Sequence, residues 1–188
     1  MNIAFSTLRI FLVLTVITGG IYPLVVTSVA EVCFPHQAHG SLMRDEQGAV
    51  IGSELIAQPF TAAKYFWTRP SAGDFATMPS GASNLSWTSG QLVEAVAERR
   101  TALLQAHGLP AGSSVPADLL FASGSGLESF ISPAAAEFQV KRVAAARGLE
   151  PDQVRVLVNA HMAKGGILGD NVINVMTLNA ALDKLHRG

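Results

Sequence analysis

An apolar segment near the N-terminus constrains this chain more than any other feature of its sequence. It runs from Ile10 to Ala30 without a charged residue. As an α-helix it would extend about 31 Å, close to the roughly 30 Å hydrocarbon thickness of a bilayer. Because a bilayer core offers no water to backbone polar groups, a lone spanning segment must be helical, and one helix forms neither a channel nor a closed barrel. We therefore predict a membrane-anchored domain that needs partner chains for any transport.

The span divides the chain into three parts. We predict a cytoplasmic N-terminus over residues 1–9, a transmembrane helix over 10–32 and an exported, periplasmic domain over 33–188. Arg9 precedes the span and only Arg44 follows it closely, which favours this orientation under the positive-inside rule. A cleaved signal peptide is the alternative, because small residues end the apolar run, but that run is longer than a typical signal-peptide core. The prediction is a single-pass protein of the cell inner membrane.

Four small or narrow side chains recur at every fourth position of the span: Thr15, Gly19, Pro23 and Thr27. Such a stripe lets a neighbouring transmembrane helix approach closely, so these residues are candidates for packing against a partner. The alternative is that Gly and Pro are common in membrane helices and that Pro23 bends this one near Gly19.

Composition limits what the exported part does. Its length suits one domain with a proper core. The net charge is −1 and no basic run occurs, so the electrostatic footprint of a nucleic-acid-binding protein is missing. A single cysteine excludes an internal disulfide, so the domain must be held by packing of its apolar residues, which make up 49% of the chain.

Cys33, His36 and His39 follow the span at a spacing of three residues. Thiolate and imidazole are ligands that zinc or copper prefers. A structural zinc site needs a fourth ligand, and no matching pair stands out elsewhere in the sequence. Two interpretations remain: a metal-binding module, or a polar tether that leaves the membrane.

Strand and helix signals follow one another in the exported part, which predicts an α+β domain. The tetrad Asp45–Gly48 is typical of a turn, so we predict a β-hairpin whose second strand extends through Gly52–Phe60. We predict helices from a capping signature at Thr88 to Gly108, from Ser132-Pro133 to Gly148, from Pro151 to Ala163 and after a cap at Asn174, and a short buried strand over Val115–Phe121.

Neither polar feature of the central region has the spacing of a catalytic motif. The turn Ser123–Gly126 matches neither a nucleophile elbow nor a phosphate-binding loop, so we predict a tight corner and assign no catalytic residue. His161 is interpreted as a packed or capping side chain. The aromatic triplet Tyr65–Trp67 beside Arg69 is interpreted either as a binding platform or as core and rim.

Seven segments carry a family resemblance: Gly52–Phe60, Tyr65–Ala72, Ser83–Leu85, Val115–Leu119, Ser123–Leu127 with Ile131–Pro133, Gln139–Leu149 and Asn174–Asp183. Their most characteristic residues are Tyr65, Phe66, Trp67, Arg69, Pro70, Ser71, Ser83, Asn84, Asp118, Ser123, Gly124, Ser125, Gly126, Gln139, Arg142, Asn174 and Asn179. In this order they resemble the C-subunit family of the Kdp potassium-transporting ATPase. The resemblance covers the anchor and nearly the whole exported domain.

The resemblance implies an accessory role in a complex. A channel-like subunit would pass potassium and a P-type pump subunit would hydrolyse ATP, while this subunit supports assembly and acts as a catalytic chaperone that raises the ATP affinity of the pump. We expect no cofactor bound directly by this chain, with ATP and potassium handled by the complex, and membrane lipid around its helix. The predicted export conflicts with direct contact to cytoplasmic ATP. The alternative is an independent membrane-anchored binding module.

The chain departs from the family pattern at three places. Glu128-Ser129-Phe130 stands where the family usually has Asp-Pro-His, Met162-Ala163 replaces Thr-Glu, and Gly169-Asp170-Asn171-Val172 replaces Gly-Glu-Pro-Arg. Either a partner surface has diverged together with its partner, or this copy has weakened activity.

Overall fold

A computed structural model describes residues 3–167 and 169–185 of the chain. They form two compact units that divide between Ile51 and Gly52. The fold is mixed α+β, with one N-terminal helix of transmembrane length and a small domain after it, as the sequence predicts.

The first unit is dominated by a continuous helix over Ile3–Cys33. It consists of α1 (Ile3–Val16), a π-helical turn (Ile17–Ile21) and α2 (Tyr22–Cys33). Its most apolar stretch of 18 residues has a mean hydropathy of 2.2, and none of these residues is buried. Pro23 lacks the N–H that would bond to the carbonyl four residues earlier, so an irregularity at Gly19 is expected on backbone grounds, and the π turn lies there.

A short helix and a hairpin follow. Helix α3 (Pro35–Ala38) precedes β1 (Leu42–Arg44), which pairs with β2 (Val50–Ser53). The Asp45 carboxylate accepts hydrogen bonds from the backbone N–H of Gln47 and Ala49. Gly48 closes this turn at φ +82°, a conformation that suits glycine. The predicted hairpin is confirmed.

The predicted extension of the second strand to Phe60 is wrong. Strand β2 ends at Ser53, whose hydroxyl accepts a hydrogen bond from the N–H of Leu55 and turns the chain. Beyond that turn, Ser53 forms only an isolated bridge with Ile56.

The second unit packs helices around a small antiparallel sheet. The helices are α4 (Gly90–Ala106), α5 (Ala117–Leu120), α6 (Pro133–Arg147), α7 (Pro151–Ala160) and α8 (Val175–Leu185). Strands β3 (Phe130–Ile131), β4 (Met162–Ala163) and β5 (Val172–Asn174) lie in the order β3-β5-β4. Phe130 faces Asn174 on one side of β5, and Met162 faces Ile173 on the other.

Helix α6 lies at the centre of the core. It buries small and branched residues on several sides, among them Ala135, Val140 and Val143, each fully buried. These side chains form one cluster with Phe66, Ile131, Val154, Ile173, Leu178 and Leu182. Such close packing stabilises the domain in the absence of a disulfide.

Helix ends with a strong local signal follow the sequence prediction. The Ser132 hydroxyl accepts a hydrogen bond from the N–H of Ala135 at the start of α6, and Gly148 ends that helix at φ +65°. The Asn174 side chain accepts from the N–H groups of Met176 and Thr177 and so caps α8.

Three further predicted elements differ from the structure. Thr88 does not cap α4: Ser89 occupies the N-cap position without a side-chain bond, and Thr88 pairs with Ser86 instead. The strand predicted over Val115–Phe121 is helix α5. An apolar run this short has no readable period, and the extended Pro116 leads directly into a helical turn.

The third difference concerns the helix predicted to end at Ala163. Helix α7 ends at Ala160, and His161 caps it with Nδ1 lying 2.9 Å from the carbonyl oxygen of Leu157. Met162 and Ala163 then pair with β5 as an edge strand. The extra apolar residues therefore belong to the sheet.

Candidate functional site

The aromatic segment, residues 62–68, is bound to the helices by side-chain amides. The Gln139 amide oxygen accepts the N–H of Trp67 at 2.7 Å, and its nitrogen donates to the carbonyl oxygen of Trp67 at 3.1 Å. The Asn179 amide likewise accepts the N–H of Phe66 at 2.8 Å and donates to the carbonyl oxygen of Phe66 at 2.9 Å. Each amide therefore pairs with the N–H and the carbonyl of one residue, as the backbone of a neighbouring β-strand would.

Arg142 completes this arrangement from α6. One terminal nitrogen donates to the carbonyl oxygens of Ala63 at 2.6 Å and Tyr65 at 3.0 Å, and the other donates to Gln139 at 2.7 Å. The guanidinium also lies 4.0 Å above the centre of the Trp67 ring. Burial lowers the pKa of Arg142 to about 10, so the side chain remains charged at neutral pH while carbonyls and a ring face replace its water.

A second arginine holds the other end of the segment. Arg147 donates to the carbonyl oxygen of Lys64 at 2.7 Å and forms an ion pair with Asp183 at 2.8 Å. The Tyr65 hydroxyl donates to the other oxygen of the same carboxylate at 2.9 Å. The ring of His107 also meets that of Trp67, at a centroid distance of 5.9 Å. Sequence reasoning did not single out Arg147, Asp183 or His107 as site residues, because only the fold brings them to this segment.

The aromatic segment is therefore a structural element. Phe66 is fully buried, and the backbone groups of Phe66 and Trp67 are occupied by side-chain amides. Of the two interpretations of this triplet, the structure favours core and rim.

The Ser123–Gly126 turn is a tight corner. Ser123 is buried, and its N–H donates to the carbonyl oxygen of Pro70. Gly126 has φ +71°, and a Cβ there would lie 2.9 Å from the carbonyl oxygen of Gly81 and 3.2 Å from the hydroxyl of Ser71. Among the described residues, neither Ser123 nor Ser125 forms a hydrogen bond with a histidine, as a nucleophile and its base would.

The remaining motif residues around this corner lie in loops. Ser83, Asn84, Gly124 and Ser125 are exposed. The Ser125 hydroxyl accepts a hydrogen bond from the N–H of Leu127, which stabilises the turn.

An open groove of about 550 Å³ lies along the outer edge of β3. Most of its lining surface is apolar, and Phe130, Ile131 and Val172 contribute to it. The other lining residues are Arg69, Ala117, Asp118, Glu128, Ser132, Asp170 and Asn171. Two of the three departures from the family pattern therefore meet in one groove, and the third, Met162-Ala163, lies in the same sheet.

Two carboxylates of the groove also protect the edge of β3. Glu128 accepts the N–H of Phe130 at 3.1 Å, and Asp118 accepts the N–H of Ser132 at 2.8 Å. Their remaining oxygens, together with the exposed Asp170, give the groove an acidic lining. An edge strand whose donors are occupied resists pairing with another strand, so a partner would bind here through side chains.

Arg69 is the basic residue of the groove lining. One of its terminal nitrogens lies 3.5 Å from the carbonyl oxygen of Ala122. Its Nε is buried without a hydrogen-bond partner among the described residues. Three carboxylates against one guanidinium leave the groove with a negative balance of charge.

The structure does not assemble the metal site considered for Cys33, His36 and His39. Cys33 is exposed, and Nε2 of His39 lies 3.4 Å from a carboxylate oxygen of Glu31. Across residues 3–167 and 169–185, no three side chains of His, Cys, Asp or Glu are arranged to hold a metal ion. The metal-binding alternative is not favoured.

Comparison with known proteins shows the family of this chain. The family model described as "KdpC: K+-transporting ATPase, c chain" matches residues 4–184. Similar chains named potassium-transporting ATPase KdpC subunit occur in Sorangium cellulosum, with 50% identity over 94% of both chains, and in Citrifermentans bemidjiense, with 48% identity over 95% of both. A third, from Geobacter metallireducens, is 47% identical over 98% of this chain and 99% of its own length. The chain therefore belongs to the KdpC family, the c chain of the K+-transporting ATPase.

Proposed function

We propose that this chain is a non-catalytic, single-pass subunit that binds the other subunits of a K+-transporting ATPase and supports their assembly and activity. Two sets of residues in the second unit, those that hold the aromatic segment and those that line the groove, support this proposal. Motif side chains such as Gln139 and Arg142 hold the aromatic segment in place, whereas positions that depart from the family pattern join the motif residues Arg69 and Asp118 in lining an open acidic groove. A scaffold built from the motif residues, beside a surface that departs from the family pattern, suits a subunit that works by contact.

The groove is the proposed docking site for a basic segment of a partner subunit. Its carboxylates would attract a lysine or arginine, and Phe130 and Val172 offer apolar surface for the neighbouring side chain. A groove changed at several positions at once fits a partner that has changed with it. This interpretation is one of the two drawn from the departures, and weakened activity is the other.

Removing the acidic charge of the groove should weaken binding to the partner subunits up to about fivefold, the range of exposed ion pairs. The variant Glu128→Gln/Asp170→Lys keeps an acceptor for the N–H of Phe130 while reversing the local charge. Its control, Glu94→Lys/Glu98→Gln on exposed positions of α4, changes the net charge equally. Both are scored by co-purification in detergent and by potassium-stimulated ATPase activity of the complex.

The salt dependence separates docking from a general charge effect. Raising the ionic strength should weaken partner binding by the groove variant less than it weakens partner binding by the unmodified chain. Salt screens the ion pairs between the groove carboxylates and the partner, which the variant has lost. Equal retention of the groove variant and its α4 control at every salt concentration would exclude the groove as the docking site. Purification of the unmodified chain without any partner subunit would contradict the assembly role itself.

Orientation is part of the proposal. Arg9, near the N-terminal end of the helix, favours a cytoplasmic N-terminus, so the domain would lie outside the cytoplasm and support ATP binding only through its partners. Protease added to spheroplasts should digest the domain and leave a fragment that contains the Ile3–Cys33 helix. The same protease added to inverted vesicles is the control. Protection in spheroplasts with digestion in inverted vesicles would show the reverse orientation and allow direct contact with ATP.

A further inference from the structure

His107 joins two helices and the aromatic segment. It caps the C-terminal end of α4, and its Nδ1 lies 2.7 Å from the carbonyl oxygen of Leu103. Its Nε2 lies 3.1 Å from the Nε of Arg142 on α6. The imidazole packs on Phe138 at a centroid distance of 4.4 Å and meets the Trp67 ring at 5.9 Å. Both ring nitrogens are therefore committed.

Hydrogen-bond chemistry determines where the ring proton lies. The Nε–H of an arginine only donates, so Nε2 of His107 must be the acceptor and the proton sits on Nδ1. That proton is then donated to Leu103. A second proton, added at Nε2, would face the N–H of Arg142 and place two cations in contact.

We infer that His107 and Arg142 form an acid-sensitive latch, which ties the end of α4 to α6 and the aromatic segment while the imidazole is neutral and opens when it is protonated. The guanidinium that would be displaced also holds the carbonyl oxygens of Ala63 and Tyr65 and the amide of Gln139. Opening the latch therefore loosens the aromatic segment. This device goes beyond the assembly role proposed above and does not depend on it.

The electrostatic surroundings act in the same direction. Burial, and to a lesser extent the Arg142 guanidinium, lowers the pKa of His107, while the hydrogen bond to Leu103 opposes this shift. Among the described residues, Arg142 is the titratable group that contacts the ring from α6; Phe138 and Trp67 contribute only aromatic surface. No carboxylate is paired with either partner of the latch among these residues.

The sign of the pH dependence follows from linkage. In the unfolded chain the imidazole binds its proton below pH 6.5, whereas the folded chain binds it only at lower pH. Protonation of His107 therefore has no effect on the free energy of unfolding above pH 6.5. It lowers that free energy as the pH falls from 6.5 to the pKa of His107 in the folded chain. The unfolding equilibrium constant should rise by up to about tenfold per pH unit in that window.

The chain contains a matched control for this test. His161 caps α7 as His107 caps α4, with the same bond to a carbonyl four residues earlier, but no arginine contacts it among the described residues. Full-length protein in detergent micelles is compared as the unmodified chain, His107→Gln and His161→Gln. We expect His107→Gln to flatten the acid-side loss of stability and His161→Gln to retain it.

Two measurements on proteins with an intact latch keep the inference falsifiable even if His107→Gln fails to fold. The ring resonances of the unmodified chain give the titration midpoint of His107 directly. In a Trp87→Phe background, Trp67 is the sole tryptophan and its emission should change at that same midpoint. A midpoint of His107 at or above 6.5, or an acid-side loss that persists undiminished in His107→Gln, would overturn the latch.

Discussion

Replacing Gln139 with leucine is expected to lower the free energy of unfolding by about 3 kcal/mol. The side chain is fully buried and serves the N–H and carbonyl of Trp67 as well as the guanidinium of Arg142. Leucine fills a similar volume but satisfies none of these groups, and each buried polar group left without a partner costs about 1–3 kcal/mol. Urea denaturation of the full chain in micelles, followed by tryptophan emission, measures the loss.

Two comparisons show whether the amide chemistry, rather than burial in general, is responsible. Gln105→Leu changes an exposed glutamine of α4 and should alter stability by no more than about 0.5 kcal/mol. Gln139→Glu keeps the acceptor for Trp67 and Arg142 but loses the donor, so its loss should be smaller than that of leucine. Equal stability of Gln139→Leu and Gln105→Leu would show that the aromatic segment is held by other contacts.

The amides of Gln139 and Asn179 should also be energetically coupled. They hold adjacent residues of one segment, so loss of either detaches part of the backbone that the other binds. The double leucine variant is therefore expected to lose less stability than the sum of the single variants. Strict additivity would mean that Phe66 and Trp67 are held independently.

The sequence predicts those elements whose signals are local. The hairpin follows from the Asp45–Gly48 tetrad, and α6 follows from Ser132-Pro133 at one end and Gly148 at the other. Each of these signals acts within a few residues through one side-chain bond or one backbone conformation. Such signals need no tertiary contact to be interpreted.

The sheet and the site depend instead on contacts between distant residues. Strands of two or three residues, such as Phe130–Ile131, are too short to show alternation. The resemblance marks Gln139 and Arg142 as characteristic residues, but their role is not evident until the fold sets Trp67 against them. The groove likewise exists only because β3 pairs with β5 and brings Glu128 and Asp170 to one place.

The membrane helix provides the second prediction: Gly19→Leu should weaken binding to the partner helices by about 5- to 30-fold. Helices in lipid gain no hydrophobic energy by pairing, so close packing and interhelical hydrogen bonds must hold them, at about 1–2 kcal/mol per contact in model peptides. The π turn supports a shared face. In an α-helix, residues four positions apart are rotated about 40° beyond one full turn about the helix axis, so a stripe with this spacing winds around the helix. The wider π-helical turn at Ile17–Ile21 reverses part of this rotation and keeps the four residues closer to one face.

The isolated subunit should tolerate the change. A side chain added at Gly19 meets no atom within 4 Å, so leucine has room there and any lost binding reports on the partner. Leu24→Ala, at a residue 71% exposed in this structure, is the control and should leave the subunit bound if that side faces lipid. The groove could retain the subunit in the full complex, so both changes are also tested in a chain truncated after Cys33. In that chain the helix acts alone, and equal recovery of Gly19→Leu and unmodified helices with the partner subunits would exclude the Thr15, Gly19, Pro23, Thr27 stripe as the interface.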